Sequence, residues 1–575
     1  MGWLKSWTFT IATALLMATP AKAANQIIFP LGQVEVSISV DELEAYAESG
    51  NLNHSGPLTT YLQWFQPHQR KQIQTLLRSE YTFNPNALEG LLNSPMVASF
   101  LLHIGRIIET DAGENGAEAL RMAVVQAASE GQNFTLVDVL RQFPSESLRI
   151  NLEQTVDLLA EIATLIQQTN AAVAKVEQLA VQEAQQQPLT DWNSKEDLRD
   201  SGSFVVDQQT LSFNDKSRHR QFEADLYLPI APDSNTQKSQ QQQSIPVIVI
   251  SHGLASHRSR FTAIAQHLTS YGFAVVVPQH PGSDIQQLQN LLKGDSDQLF
   301  EEQQLIDRPL DITYLLNDLE TWNKTEFGGQ LNLKKVGVWG HSLGGYTALA
   351  LAGATLNFDQ LKADCTEETS PVNPSLFLQC RALELPQKTY QLRDQRVAAV
   401  VLLNPINSSI FGKSGLSNVQ VTVMMIASSS DLLAPALLEQ IQSFTWLQVP
   451  DRYLVLKTRD HHFYDVSGFE TGDQQSKLLS RLIAPTYRIT HNYVNALSLA
   501  FFKTYITQNP NYRAYLQASY GNEITVYPYT LSILTPLSQP ELMDALEKIF
   551  SQSKLSVTLQ RLILSSHSSE IELQK

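Results

Sequence analysis

The apolar string Val336-Gly337-Val338-Trp339 runs without a break into Gly340-His341-Ser342-Leu343-Gly344, and a helix-forming stretch, Tyr346–Ala352, leaves it. Strand, glycine-flanked serine and helix in that order predict a sharp strand–turn–helix bend. Glycines belong there because the turn is tight and the backbone passes close to its neighbours. Such a bend stands the serine hydroxyl clear of the strand, which makes Ser342 the candidate nucleophile. The bland alternative is a glycine-rich turn with an incidental serine.

The surrounding text sets this bend in a larger pattern. Val247–Ile250 reads as a buried strand, Phe261–Tyr271 as a helix and Phe273–Val277 as the next strand. Asp307–Leu319 reads as a helix. Val397–Leu403, Val421–Ala427 and Tyr453–Leu456 are further strands, and residues 491–507 a closing helix. Strands alternating with helices predict an α/β fold, a doubly wound and mostly parallel sheet. Ahead of it, residues from about 38 to 187 read as helical. Ser39 or Asp41 caps a first helix, Ala117–Ser129 is rich in helix formers, and Leu152, Val156, Leu159, Ile162 and Ile166 make a helical stripe. The expected organisation is a leader at 1–23, an α-helical domain at 24–187, a β-rich connector at 188–244, the α/β domain at 245–508 and an extension at 509–575. Within the connector, Phe204-Val205-Val206 and Phe222–Leu228 suggest two strands, and Thr236–Ser244 a polar loop. In the extension, Ile524–Ile533 looks strand-like and Glu541–Phe550 helical.

A serine hydroxyl needs a base, and in this kind of fold the order along the chain is serine, acid, histidine. Asp431 lies just past the strand Val421–Ala427, where a carboxylate can orient an imidazole. After Tyr453–Leu456 come His461 and His462. Adjacent loop residues point different ways, so one of the two serves. A developing oxyanion also needs donors. One is the Leu343 amide; the other is assigned to the Leu254 amide, in Ser251-His252-Gly253-Leu254 after an earlier strand. His252 is read as positional. Gln279–Asp284 is read as lining the mouth of the site, and residues 285–308 and the Cys365–Cys380 region as insertions that shape it.

The chain of 575 residues carries 41 basic against 57 acidic side chains. That balance disfavours a nucleic-acid partner, which needs a basic face. No metal-ligand spacing or phosphate-binding glycine loop is present, so no metal or cofactor is expected. Met1–Ala23 has the features of a secretory leader: Lys5, a short apolar core, and Ala21-Lys22-Ala23. A periplasmic or secreted protein without a membrane span in its mature chain is expected. There Cys365 and Cys380 can pair; the alternative is two buried thiols.

Residues 245–505 resemble an α/β-hydrolase, with the platelet-activating-factor acetylhydrolase and dienelactone-hydrolase-like group the nearest likeness. The strings that carry this are Ser251-His252-Gly253-Leu254, Pro278–Ser283, Arg308-Pro309-Leu310-Asp311-Ile312, Gly340–Gly345 and Arg452–Leu456 leading to His462-Phe463. In the acetylhydrolase-like enzymes a histidine before phenylalanine is the base, which the resemblance transfers to His462. Their oxyanion donors match Leu254 and Leu343. The charged approach Arg459-Asp460-His461 departs from the small residues of that group. The N-terminal half resembles a helical domain of unknown function that precedes such hydrolases in cyanobacteria, through Phe29-Pro30-Leu31-Gly32, Ser39–Leu43 and Leu140–Pro144. The resemblance implies an exported serine hydrolase acting on a small-molecule or lipid ester through Ser342, His462 and Asp431. The rival expectations are the same machinery on a lactone, thioester or peptide bond, and a non-catalytic envelope binding protein whose helical half docks a partner.

Overall fold

The computed structural model describes residues 23–31, 34–51, 56–131, 133–231, 244–366, 371–462 and 474–551, with side chains left undescribed at 31 and 474–487. The leader apart from Ala23, nearly all of the polar loop Thr236–Ser244, part of the Cys365–Cys380 insertion, Phe463 and the last 24 residues lie outside the described residues. The described chain divides into two compact units, Met1–Leu159 with Gln289–Gln298, and Ala160–Leu288 with Leu299–Lys575.

The first unit corrects the all-helical expectation. It holds a four-stranded sheet of β1 (Gln26–Leu31), β2 (Val34–Ser39), β3 (Ile108–Thr110) and β4 (Leu148–Ile150), in the order β2-β1-β4-β3. These strands have three to six residues, and the β1–β4 pairing joins Ile27 to Leu148. No local periodicity announces so distant a partner. Ser39 ends β2 and caps α1 (Val40–Ser49), its hydroxyl accepting from the Asp41 N–H while the Glu42 carboxylate accepts from the Ser39 N–H. Ala119, Ala123 and Ala127 of α2 (Ala117–Glu130) pack with Leu88, Phe134, Phe143 and Leu148. Among the described residues no single helix is long and apolar enough to cross a membrane; Pro85–Asn93 and Pro95–Ile104, bent by 79°, reach that standard only together.

The helix α3 (Leu152–Gln186) corrects the 187 boundary, because from Ala160 it belongs to the second unit. Its predicted stripe is not its buried face: Val156, Leu159, Ile162 and Ile166 are exposed, and Ala172, Val176, Leu179 and Ala180 are buried. Glu183 fixes it, accepting from the Thr535 N–H and hydroxyl.

The second unit is built on a nine-stranded sheet. Its strands are β5 (Val205–Asp215), β6 (Arg220–Ile230), β7 (Ile245–Ser251), β8 (Ala274–Pro278), β9 (Leu331–His341), β10 (Val397–Leu403), β11 (Thr422–Ser428), β12 (Arg452–Lys457) and β13 (Leu531–Leu534). The order is β13-β12-β11-β10-β9-β7-β8-β6-β5. The strands from β7 to β12 are parallel, while β5, β6 and β13 pair antiparallel at the two edges. The parallel strands are almost wholly buried, as a sheet covered on both faces requires. Two boundaries are corrected here. The connector at 188–244 supplies β5 and β6, and the extension at 509–575 supplies β13; Ala518–Ile524 is helix. Tyr515, Leu516, Tyr520, Ile524 and Ile533 join the same hydrophobic core as Trp339 and Phe502. Their partners are remote in sequence, so the expected limits at 245 and 508 cut through one sheet.

The helices α4 (Thr262–Ser270), α5 (Gln304–Thr325), α6 (Leu343–Leu351) and α7 (Gln474–Tyr505) belong to this unit. Of the 285–308 insertion, Gln289–Gln298 groups with the first unit. The other insertion is pinned twice. Cys365 and Cys380 form a disulfide, and the fully buried Glu439 carboxylate accepts from Asn373 Nδ2 at 2.7 Å, Ser375 Oγ at 2.8 Å, Gln379 Nε2 at 2.9 Å and the Asn407 N–H at 2.8 Å. Opening a loop of this length by Cys365→Ser with Cys380→Ser should lower the stability of the second unit by roughly 3 kcal/mol, read as a shifted urea midpoint without reductant.

Candidate active site

Six parallel strands deliver their following residues to one edge of the sheet, and the candidate residues all come from there. At the end of β9, Ser342 takes φ 55° and ψ −117°. A side-chain-bearing residue held there is strained by roughly 1–3 kcal/mol. Hydrogen bonds hold it: the Ser342 N–H donates to the Leu403 carbonyl at 3.0 Å, and the Ser342 carbonyl accepts from the Gly345 N–H at 2.8 Å. A Cβ on Gly344 would stand 1.9 Å from the Ser251 carbonyl oxygen, so only glycine lets α6 and the loop after β7 meet. That loop crosses the serine: a Cβ on Gly253 would lie 3.3 Å from Ser342 Cβ.

Asp431 follows β11 and is buried. Its Oδ1 accepts from the Leu433 and Ala434 N–H groups at 2.9 and 2.8 Å, and its Oδ2 meets His462 Nδ1 at 2.7 Å. The first pair of bonds fixes the carboxylate, and the second makes Nδ1 the proton-bearing nitrogen of the His462 ring. The neighbouring histidine is turned elsewhere, His461 Nδ1 bonding the Ser430 carbonyl at 3.1 Å. Of the two candidates it is therefore His462 that carries the carboxylate. Of the charged approach to it, Asp460 is turned inward while Arg459 is exposed. Asp460 is buried, pairs with Lys457, and accepts from Ser428 Oγ and Thr490 Oγ1 at 2.9 Å each, tying the loop to β11.

Two residues not foreseen from the sequence fix the same loop. The His462 carbonyl accepts from His341 Nε2 at 2.8 Å and from Asn404 Nδ2 at 3.0 Å. His341 is the residue before the serine, so the bend and the His462 loop are joined directly. Asn404, at the end of β10, has φ 45° and is nearly fully buried. Asparagine tolerates that conformation better than most residues. The dipeptide Asn404-Pro405 after a buried strand was the available signal.

Leu343 opens α6, where the first amides lack an intrahelical acceptor. Leu254 is half-buried in the loop beside Gly253. His252 is positional: Nδ1–H donates to the Gly253 carbonyl at 2.8 Å and Nε2 accepts from the His280 N–H at 3.0 Å. The Gln279–Asp284 segment lies deeper than a mouth. His280 and Ser283 are fully buried, and His280 Nε2 bonds Ser251 Oγ at 3.0 Å. The shape of a parallel sheet explains the difference, since residues just after a central strand sit under the next loop. Among the described residues no group of three or more His, Cys, Asp and Glu is arranged to hold a metal.

Residues 23–151 match a family described as alpha/beta hydrolase of unknown function (DUF1400), and residues 235–373 match the Chlorophyllase family. The second match spans the Ser251–Leu254 loop and the bend at Ser342; Asp431 and His462 lie beyond it. No curated protein matches the chain. With the nine-stranded sheet, these matches show that the chain belongs to the α/β-hydrolase superfamily. Its scaffold is that of a hydrolase.

Burial lowers His341 to about 3, and burial together with the Arg308 charge holds His252 and His280 well below the ordinary histidine value. All three bind a proton less readily folded than unfolded. Stability is thus full above about pH 6.5 and falls as the pH drops, by up to about 2 kcal/mol per ring at pH 5. The urea midpoint should fall between pH 7 and 5. His341→Gln, which keeps a donor for the His462 carbonyl but does not titrate, should remove roughly one ring's share of that fall.

Proposed function

We propose that this hydrolase cleaves a carboxylic ester through a covalent acyl-enzyme on Ser342. The observation that carries the reading is the 2.7 Å bond between His462 Nδ1 and Asp431 Oδ2, in a loop fastened through its own carbonyl to the residue before the serine. With Nδ1 protonated and held, Nε2 is the basic nitrogen. It takes the Ser342 proton as Oγ attacks the ester carbonyl carbon. The Leu343 and Leu254 amides receive the oxyanion. His462 then gives the proton to the leaving alcohol, and a water deprotonated by the same ring releases the acid. Asp431 keeps the imidazole in this tautomer and stabilises its cation during each transfer.

The substrate is proposed at the level of an ester, of a short acyl group or of a lipid. The Chlorophyllase match supports hydrolase chemistry on this scaffold, and its name puts chlorophyll on the panel to be tested. The leader-like Met1–Ala23 and the Cys365–Cys380 bond support export to the periplasm or beyond the cell.

Turnover of a panel of p-nitrophenyl esters, thioesters, amides and chlorophyll by the full chain tests this reading. Esters should be cleaved fastest. Ser342→Ala should lose more than about a thousandfold in kcat together with all labelling by a fluorophosphonate, and Asp431→Asn roughly a hundred- to ten-thousandfold. A wild type that takes no label and turns over no panel member would leave the scaffold as a binding protein.

A further inference from the structure

Arg308 lies in α5, fully buried, and the chemistry above gives it no role. Its Nη1 donates to Ser283 Oγ at 2.8 Å, its Nε to Thr347 Oγ1 at 3.2 Å, and its Nη2 to Ser251 Oγ at 3.4 Å and to the His252 carbonyl. These partners are three hydroxyls and a carbonyl; none is a carboxylate. The acid one turn along, Asp311, is instead held by Arg218 and Arg220. Burial lowers the Arg308 pKa against the pull of the Asp311 and Asp284 charges. A buried cation so placed is expensive to the fold, and a stability role alone does not account for it.

Its bonds join two particular elements. Ser251 and His252 belong to the loop that crosses the serine, and Thr347 to the helix that the serine opens. In a trans peptide the carbonyl and the following N–H point opposite ways. Drawing the His252 carbonyl toward the guanidinium therefore turns the Gly253 N–H away from it, and the next peptide, which carries the Leu254 N–H, is held through its Gly253 carbonyl by His252 Nδ1–H. The same two helices are stitched a second time. Pro309 has no N–H, which leaves the Leu305 carbonyl without its helical donor, and the Tyr346 hydroxyl of α6 donates to that carbonyl at 2.9 Å. A planar fork of donors can span these partners at once; an ammonium cannot.

We infer that Arg308 is a positioning residue for the oxyanion donors. It fastens the Ser251–Leu254 loop to the nucleophile helix and sets a fixed positive charge behind the peptide dipoles of that loop. The inference rests on the hydrolase reading above.

The test counts competent sites in the full chain by fluorophosphonate titration and measures p-nitrophenyl acetate turnover per titrated site. Arg308→Lys should lower kcat per site by roughly ten- to a hundredfold with KM changed less than about threefold. Ser283→Ala, which removes one anchor and keeps the charge, should lower it by roughly three- to tenfold, and it decides the matter if the Arg308 variant does not fold. A merely structural residue would reduce the number of titratable sites and leave kcat per site at the wild-type value. That result, or an unchanged kcat per site in the folded variants, overturns the inference. A wild type that neither labels nor turns over removes the hydrolase reading itself, and the role of Arg308 with it.

Discussion

Ser342 is held at a backbone angle that a residue with a side chain avoids, and the surrounding contacts are those that keep it there. Its N–H reaches across to β10, its carbonyl starts the next helix, and the helix can start there only because Gly344 lets the Ser251 carbonyl come close. The bend thus depends on three neighbouring strands at once. It forms when the sheet forms, which ties the placement of the buried Ser342 side chain to the whole of the second unit.

The histidines of this unit divide by their surroundings. His252, His280 and His341 are buried among hydroxyls, carbonyls and one another, and their environment keeps them neutral. They serve as fixed donors and acceptors that set loop positions. His462 is bonded to a carboxylate at 2.7 Å, whereas His280 lies 3.7 Å from Asp311. One side-chain type therefore supplies rigid joints and, in the proposed reaction, a proton carrier, the difference lying in what each ring meets.

The parts of the fold legible in the sequence were those written locally. The bend at 340–344, the apolar strands around it and the acid and histidine after later strands each occupy a few consecutive residues. The strands β1 and β4, the hairpin β5–β6 and the edge strand β13 were misassigned or placed outside their sheet because their partners lie far away in the chain. The α3 stripe was legible as a helix, but its buried face depended on contacts near Thr535 that periodicity does not encode. For the site, His341 and Arg308 stand in strings that carry the resemblance, but their contacts, like those of Asn404, are not legible for the same reason: each acts on a backbone carbonyl of another segment, and such a target leaves no mark in the acting residue's neighbourhood. In the sequence the choice between His461 and His462 rests on resemblance; in the structure His462 bonds Asp431 and His461 the Ser430 carbonyl.

The proline within α5 has a further consequence. It breaks one rung of its own helix and offers the vacated oxygen to Tyr346. Restoring that rung with an ordinary residue would strengthen α5 taken alone while giving Tyr346 a competitor for its acceptor. Local perfection and correct docking are thus opposed at this point, and a repair guided by helix propensity would loosen the very seam against which the helix opened by Ser342 is registered.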